Sequence, residues 1–277
     1  MRIRRYTDPQ LFLDRSQEWL LHSELKNSQI LAVAHLLVKN DHPFESPFYL
    51  ATIETEAGIV GCAVRAPPDQ LILSEVPGDA IPLLVADVAT LYQTLPGVTG
   101  MENEVTAFAS HWKGRGGGPW AVASRWHWYA LERVLTPRKP ASGTLRLADS
   151  SDLDLVRAWA PNFARDISTS VDVVAFFERR VQTGSLYLWD DEGPCSLVAV
   201  SGVTPNSIRI SGVYTTPDFR RRGYATVAVA SVSQLMLDAG RRFCLLFADI
   251  SDPIANRLYR MIGYRRIFDK VSICLSD

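Results

Sequence analysis

The chain has 277 residues, of which 47% are hydrophobic and 21% charged, with a formal net charge of -1. That balance excludes a disordered polypeptide, and the near-zero charge excludes a dedicated nucleic-acid binder, so any anion site has to be local. No apolar stretch approaches the roughly 18 residues that span a bilayer, and no apolar run follows Arg2, Arg4 and Arg5, so no membrane segment or leader peptide is expected and the cytoplasm is the default compartment.

In chain order, residues 8–38 read as helix, with Ile30, Leu31, Ala34 and Leu37 at helical spacing. Strand-like runs follow at 48–53, 59–64 and 70–74. Residues 81–95 read as helix, Gly97 and Gly100 as a loop, 102–112 as helix and 126–134 as strand. Residues 136–143 are rich in Pro, Ser and Gly and form the best linker, which places domains at 1–138 and 142–277. Beyond it the order is a short strand (145–148), helices (152–160 and 171–183), three strands (185–189, 196–203 and 207–214), a helix (224–238), a strand (243–247), a helix (253–262) and a last strand (266–275). The fold class is α/β, with mostly antiparallel mixed sheets flanked by helices. Both halves run strands, glycine-bearing loop, helix, strand, which suggests an internal duplication in which residues 96–100 answer to 220–225. Cys62, Cys195, Cys244 and Cys274 show no metal-ligand spacing, and no metal is expected; Cys244 and Cys274 lie in apolar runs and read as small buried hydrophobes. Trp112, Trp120, Trp126 and Trp128 are read either as core or as pocket lining.

The chemistry concentrates after residue 207. A strand ending at Tyr214 and Thr215 feeds a loop, then Arg220-Arg221-Arg222-Gly223-Tyr224-Ala225 opens a helix. The first turn of a helix offers free N–H groups and the positive end of the helix dipole, and Gly223 removes a side chain where an anion would approach. Three arginines add donors suited to phosphate. Two readings are open from these residues alone: a diphosphate cradle, or a solvated basic helix start. About thirty residues on, Asn256 and Tyr259 stand three apart and share a helix face. Ile254, Leu258, Met261 and Ile262 are expected to form that helix's apolar stripe, with Tyr259 at its margin.

In this order and spacing the two motifs resemble the GNAT superfamily of N-acetyltransferases. Arg220, Gly223 and Ala225 match the acetyl-CoA pyrophosphate loop; Asn256, Tyr259, Gly263 and Tyr264 match the family's second helix motif. Thr215 stands where the family usually has Val. The resemblance covers roughly residues 144–275 and implies two GNAT-like domains in tandem, the first similar to the degenerate repeat of tandem members. It implies acetyl-CoA as co-substrate and direct attack on its thioester by a primary amine of a small molecule or peptide. Backbone N–H groups of Arg221, Arg222, Gly223, Tyr224, Ala225 and Thr226 would hold the diphosphate, with Asn256 also on the cofactor side. Val213 and Thr215 would pair with the pantetheine arm, and Tyr259 would protonate the departing thiolate. Asp249 is a candidate base or a loop cap. A non-catalytic acyl-CoA sensor on the same fold is the rival reading.

Overall fold

A computed structural model describes residues 1–40, 42, 44, 46–137, 141–167 and 172–275. The expected domain boundary near residue 140 and the start of the expected 171–183 helix lie outside the described residues. The chain forms two compact units: Met1–Trp128 with Phe247–Ser251 and Ile267–Asp277, and Tyr129–Leu246 with Asp252–Arg266. No helix among the described residues is long and apolar enough to cross a membrane.

The first unit opens with β1 (Arg2–Arg5), α1 (Pro9–His22) and α2 (Glu24–Val38). The single expected helix over 8–38 is therefore two. A single helix of that length would run about 45 Å; the two shorter helices instead fold back so that Phe12 and Leu20 of one and Ile30 and Leu31 of the other share one cluster with Leu50, Cys62 and Val64. The chain leaves helical geometry at Ser23, and Asn27 Nδ2 donates to the carbonyl that Leu20 exposes at the break, at 3.1 Å. There follow β2 (Tyr49–Thr55), β3 (Gly58–Arg65), β4 (Leu71–Leu73), α3 (Ile81–Val88), β5 (Gly97–Gly100), α4 (Glu102–Gly114) and β6 (Trp120–Leu131).

Strands β1 to β4 pair antiparallel in sequence order, and β4 pairs parallel with β5. Strand β2 is buried on both faces, which is why it lacks polar alternation: Tyr49, Ala51 and Ile53 pack toward α3 and α4, and Leu50 toward α1 and α2. The loop expected at 97–100 is a strand, because both glycines carry close neighbours: a Cβ at Gly97 would sit 2.3 Å from the Ile273 carbonyl oxygen. Trp112 and Trp128 are core residues, at 6% and 1% exposure.

The second unit holds β7 (Thr144–Leu147), α5 (Leu153–Asp166), α6 (Val173–Gln182), β8 (Leu186–Asp190), β9 (Pro194–Ser201), β10 (Ser207–Thr215), α7 (Tyr224–Asp238), β11 (Phe243–Asp249) and α8 (Pro253–Ile262); β12 is Arg265–Leu275. The order β7-β8-β9-β10 is antiparallel, and β10 pairs parallel with β11. Helices α5 and α6 cover one face through Val156, Phe177, Leu197 and Tyr214. Strand, two helices, three antiparallel strands, helix, parallel strand, helix: both units follow this order, so the duplication holds at the level of topology. Its register differs from the expected one. The counterpart of the 220–225 loop is the β4–α3 connection, residues 74–80, not 96–100. Cys244 is buried, but Cys274 is exposed, because β12 alternates and turns Ile273 and Leu275 inward.

Candidate functional site

Strand β10 is the spine of the site. Its pairing with β11 covers Ser207, Ile208 and Arg209 and stops at Arg209–Leu245, although both strands continue. On its other edge Tyr214 and Thr215 remain paired with Leu197 and Ser196 of β9. Residues 210–215 thus keep one unpaired edge among the described residues, a row of backbone donors and acceptors to which an extended ligand can add as a strand.

That edge is also kinked. Ser211 opposes Ala199 and Tyr214 opposes Leu197, so β10 carries one extra residue there. Gly212 has φ +55, and a Cβ on it would stand 2.6 Å from Phe177 Cε1. Such a bulge bends the strand and re-aims its peptide groups, and it lies beside Val213. The sequence reading missed it; a glycine inside a strand pattern was its signal.

The loop after β10 is shaped by backbone conformation. Arg221 has φ +63 and Gly223 φ +93, two left-handed residues that gather successive N–H groups on one side. Gly223 caps α7 without any side-chain acceptor. The N–H groups of Arg221 to Thr226 have no partner among the described residues, while Val227 N already donates to the Gly223 carbonyl at 3.1 Å. A Cβ on Gly223 would find its nearest heavy atom, Ala141 Cβ, 3.8 Å away. The space above the loop is open, and glycine is required there first by φ.

The side chains brace this loop. Arg220 forms an ion pair with Asp166 and donates to the Thr215 carbonyl at 3.0 Å, its guanidinium 5.8 Å from the Tyr214 ring centroid. Arg222 lies 5.4 Å over Phe219. Arg221 is exposed. Tyr224 is buried and its hydroxyl donates to Asp191, whose carboxylate also accepts from Ser142 Oγ. These hydrogen bonds from Ser142 and Tyr224 hold the Asp191 carboxyl below its usual range. Thr215 Oγ1 meets Ser196 Oγ at 2.9 Å.

Helix α8 begins where expected: Asp252 accepts from the Ile254 and Ala255 amides, both at 2.9 Å, with Pro253 at the first turn and Gly263 (φ +109) at the end. Its face differs from the expected stripe. Ile254 is 78% and Met261 51% exposed, while Asn256, Tyr259 and Ile262 are buried. Tyr259 is at the centre of the inner face, not its margin, because a helix entering through Pro253 leaves its first turn outside. Asn256 is occupied within the protein: Oδ1 accepts from Tyr129 at 2.7 Å and Nδ2 donates to the Asp252 carbonyl at 2.6 Å. It fixes α8 against β6. The Tyr259 ring lies 6.2 Å from Tyr129 and 6.0 Å from Tyr264. Burial, with lesser effects of Asp252 and Tyr129, pushes the Tyr259 phenol well above its ordinary range. Asp249 accepts from the Ser251 amide and hydroxyl at 2.8 and 2.6 Å, the geometry of a turn cap.

A family model described as FR47-like protein matches residues 194–273, from β9 into β12. Among solved structures, a Drosophila protein matches with TM-score 0.70 at 13% identity, over 99% of this chain and 98% of that one. A GCN5-related N-acetyltransferase from Sphaerobacter thermophilus matches with TM-score 0.62 at 15% identity, over 99% and 95%. A tandem GNAT protein from the clavulanic acid biosynthesis pathway matches with TM-score 0.58 at 12% identity, over 99% and 98%. No curated protein matches the chain.

Proposed function

The chain has the tandem GNAT N-acetyltransferase fold, and from that premise we propose that it transfers an acetyl group from acetyl-CoA to a primary amine in a ternary complex. The observation that carries the reading is the open loop at Arg221–Thr226, with its left-handed residues and unpartnered N–H groups, placed directly after a strand whose edge is free. The residues fit the ligand. A diphosphate takes the gathered N–H groups and the positive end of α7. The amide-bearing arm lies along the β10 edge from Thr215 to Val213, which sets the thioester at the bulge. A peptide N–H freed from the ladder there stabilises the oxyanion that develops on the thioester oxygen.

The neutral amine attacks the thioester carbon; the C–N bond forms and the C–S bond breaks. The amine loses a proton to solvent, and Tyr259 stabilises the departing thiolate by hydrogen-bond donation while keeping its own proton. Holding amine and thioester together supplies most of the acceleration. The acceptor is a small-molecule or peptide amine, and the protein acts in the cytoplasm.

Calorimetric titration with acetyl-CoA tests the reading, beside an Arg220→Ala/Gly223→Val double variant. The expected result is about one equivalent bound per chain, lost in the variant, with thiol release when an amine is supplied. Binding without thiol release from any amine would favour a non-catalytic acyl-CoA sensor; no binding by the folded wild type would overturn both readings.

A further inference from the structure

Two hydrogen bonds fix which peptide groups at the end of β10 face which edge. Ser196 Oγ donates to the Tyr214 carbonyl at 2.7 Å, and Thr216 N donates to the Cys195 carbonyl at 3.4 Å. Both partners belong to β9. The peptide groups of Tyr214 and Thr216 therefore turn toward β9, and that of Thr215, between them, turns toward the free edge. The Thr215 carbonyl is nevertheless taken: Arg220 Nε donates to it at 3.0 Å. An extended ligand adding to this edge from the loop side meets that bond first.

Arg220 is held in that position from outside the loop as well. Its guanidinium pairs with Asp166, both side chains 43% exposed, and lies 5.8 Å from the Tyr214 ring centroid. Asp166 is the last residue of α5. A carboxylate in the last turn stands at the negative end of the helix dipole, where it costs stability. Helix chemistry therefore gives no reason for an acid at this place, and the pair with Arg220 does. That pair ties the end of α5 to the first residue of the Arg220–Ala225 motif.

Two competitions follow. Asp166 and a diphosphate compete for one guanidinium, and Arg220 and the amide-bearing arm compete for one carbonyl. We propose that the Asp166–Arg220 pair is a latch on the cofactor site. Acetyl-CoA breaks the ion pair and displaces Arg220 Nε from Thr215, after which the arm takes the strand edge and Arg220 turns its charge to the diphosphate. The inference rests on the acetyl-transfer reading above and deepens it, because the latch sets cofactor affinity: binding is weakened by the fraction of molecules in which the latch is closed. A partly exposed ion pair has a modest hold, so the weakening is about twofold to fivefold. Side-chain reorientation takes nanoseconds, so the latch acts on affinity and not on turnover.

The test is calorimetric titration of the full chain with acetyl-CoA and, separately, with inorganic pyrophosphate. Asp166→Asn should bind both about twofold to fivefold more tightly than the wild type, and Asp166→Glu should stay near wild-type affinity. In thiol release the gain should appear in KM for acetyl-CoA with kcat unchanged. Removing a carboxylate near an anion site also relieves plain repulsion, and a double-mutant cycle separates the two effects. In an Arg220→Gln background, which keeps a donor but has no charge to pair, the Asp166→Asn gain should vanish. A gain of the same size there makes Asp166 a repelling charge. Unchanged or weaker binding by a folded Asp166→Asn makes it a brace of the loop. Either result overturns the latch and leaves acetyl transfer standing. If the wild type binds pyrophosphate but not acetyl-CoA, the cofactor reading fails and the latch is decided on pyrophosphate; if it binds neither, both fall.

Discussion

In the proposed reaction Tyr259 is the residue on which the chemistry turns. At 8% exposure, among Tyr129 and Tyr264, it keeps its proton across the working pH range because burial disfavours the phenolate. A thiolate leaving group has a reference pKa near 8.5, so a protonated phenol can stabilise it by donation as the C–S bond breaks. Tyr259→Phe should lower kcat by about 100-fold or more while acetyl-CoA affinity, read by calorimetry, changes little. The direction of the shift adds a pH consequence. A phenol raised above its ordinary value of about 10 loses activity only as pH climbs through the raised value, so kcat should show no alkaline decline from this group up to about pH 10. A decline near pH 9 that disappears in Tyr259→Phe would mean that the phenol titrates in its ordinary range or below and has to be protonated for turnover.

At the level of elements, the bulge in β10 and the entry to α5 show how local sequence serves the site. Gly212→Ala meets both a positive φ and Phe177 Cε1 at 2.6 Å; it should cost about 1–3 kcal/mol in urea unfolding and, if the bulge aims a peptide group at the thioester as proposed, lower kcat further than stability alone explains. At the start of α5, Asp152 accepts two bonds from Arg146, both at 2.8 Å, and closes a capping box with Asp149. Those bonds from Arg146 outweigh the penalty of burial and hold the Asp152 carboxyl below its usual range. A depressed folded pKa means stability that is present above the unfolded value of about 4 and lost as pH falls through the folded one. Asp152→Asn should therefore destabilise at neutral pH and flatten the acid limb of a thermal-melting profile against pH. Much of this level was legible. The α7 span and the start and glycine stop of α8 follow from residues with one strong local preference. What was not legible depends on neighbours distant in sequence: the break at Ser23, set by two helices sharing one sheet face; β5, made a strand by β4 and β12; and the inner face of α8, chosen by Tyr129 rather than by the periodicity of Ile254 and Met261.

Over the whole chain, the duplication sets two loops against each other. In the second unit the β10–α7 connection has Arg220, Arg221, Arg222 and Gly223, and no acidic residue in the first turn of α7. In the first unit the β4–α3 connection has Glu75, Val76, Pro77, Gly78 and Asp79. Glu75 forms an ion pair with Lys26, and Asp79 stands in the turn leading into α3. Pro82 takes the place of an N–H donor in the first turn of α3. A diphosphate at that helix end would meet negative charge and one donor fewer, so of the two equivalent loops the one before α7 is the better fit to a diphosphate. The recognition motifs single out the loop proposed to hold the cofactor because such a loop would bind through backbone and charge, which sequence displays. They placed its counterpart wrongly because a glycine pair at 97–100 looks like a loop until its strand partners are known. Acetyl-CoA titration should thus end at one equivalent, and the Gly223→Val variant alone should retain no tight binding. A full equivalent bound to that variant with wild-type affinity would move the cofactor to the β4–α3 loop, and would require Asp79→Arg to strengthen it and Glu75→Ala to leave the α7 end untouched.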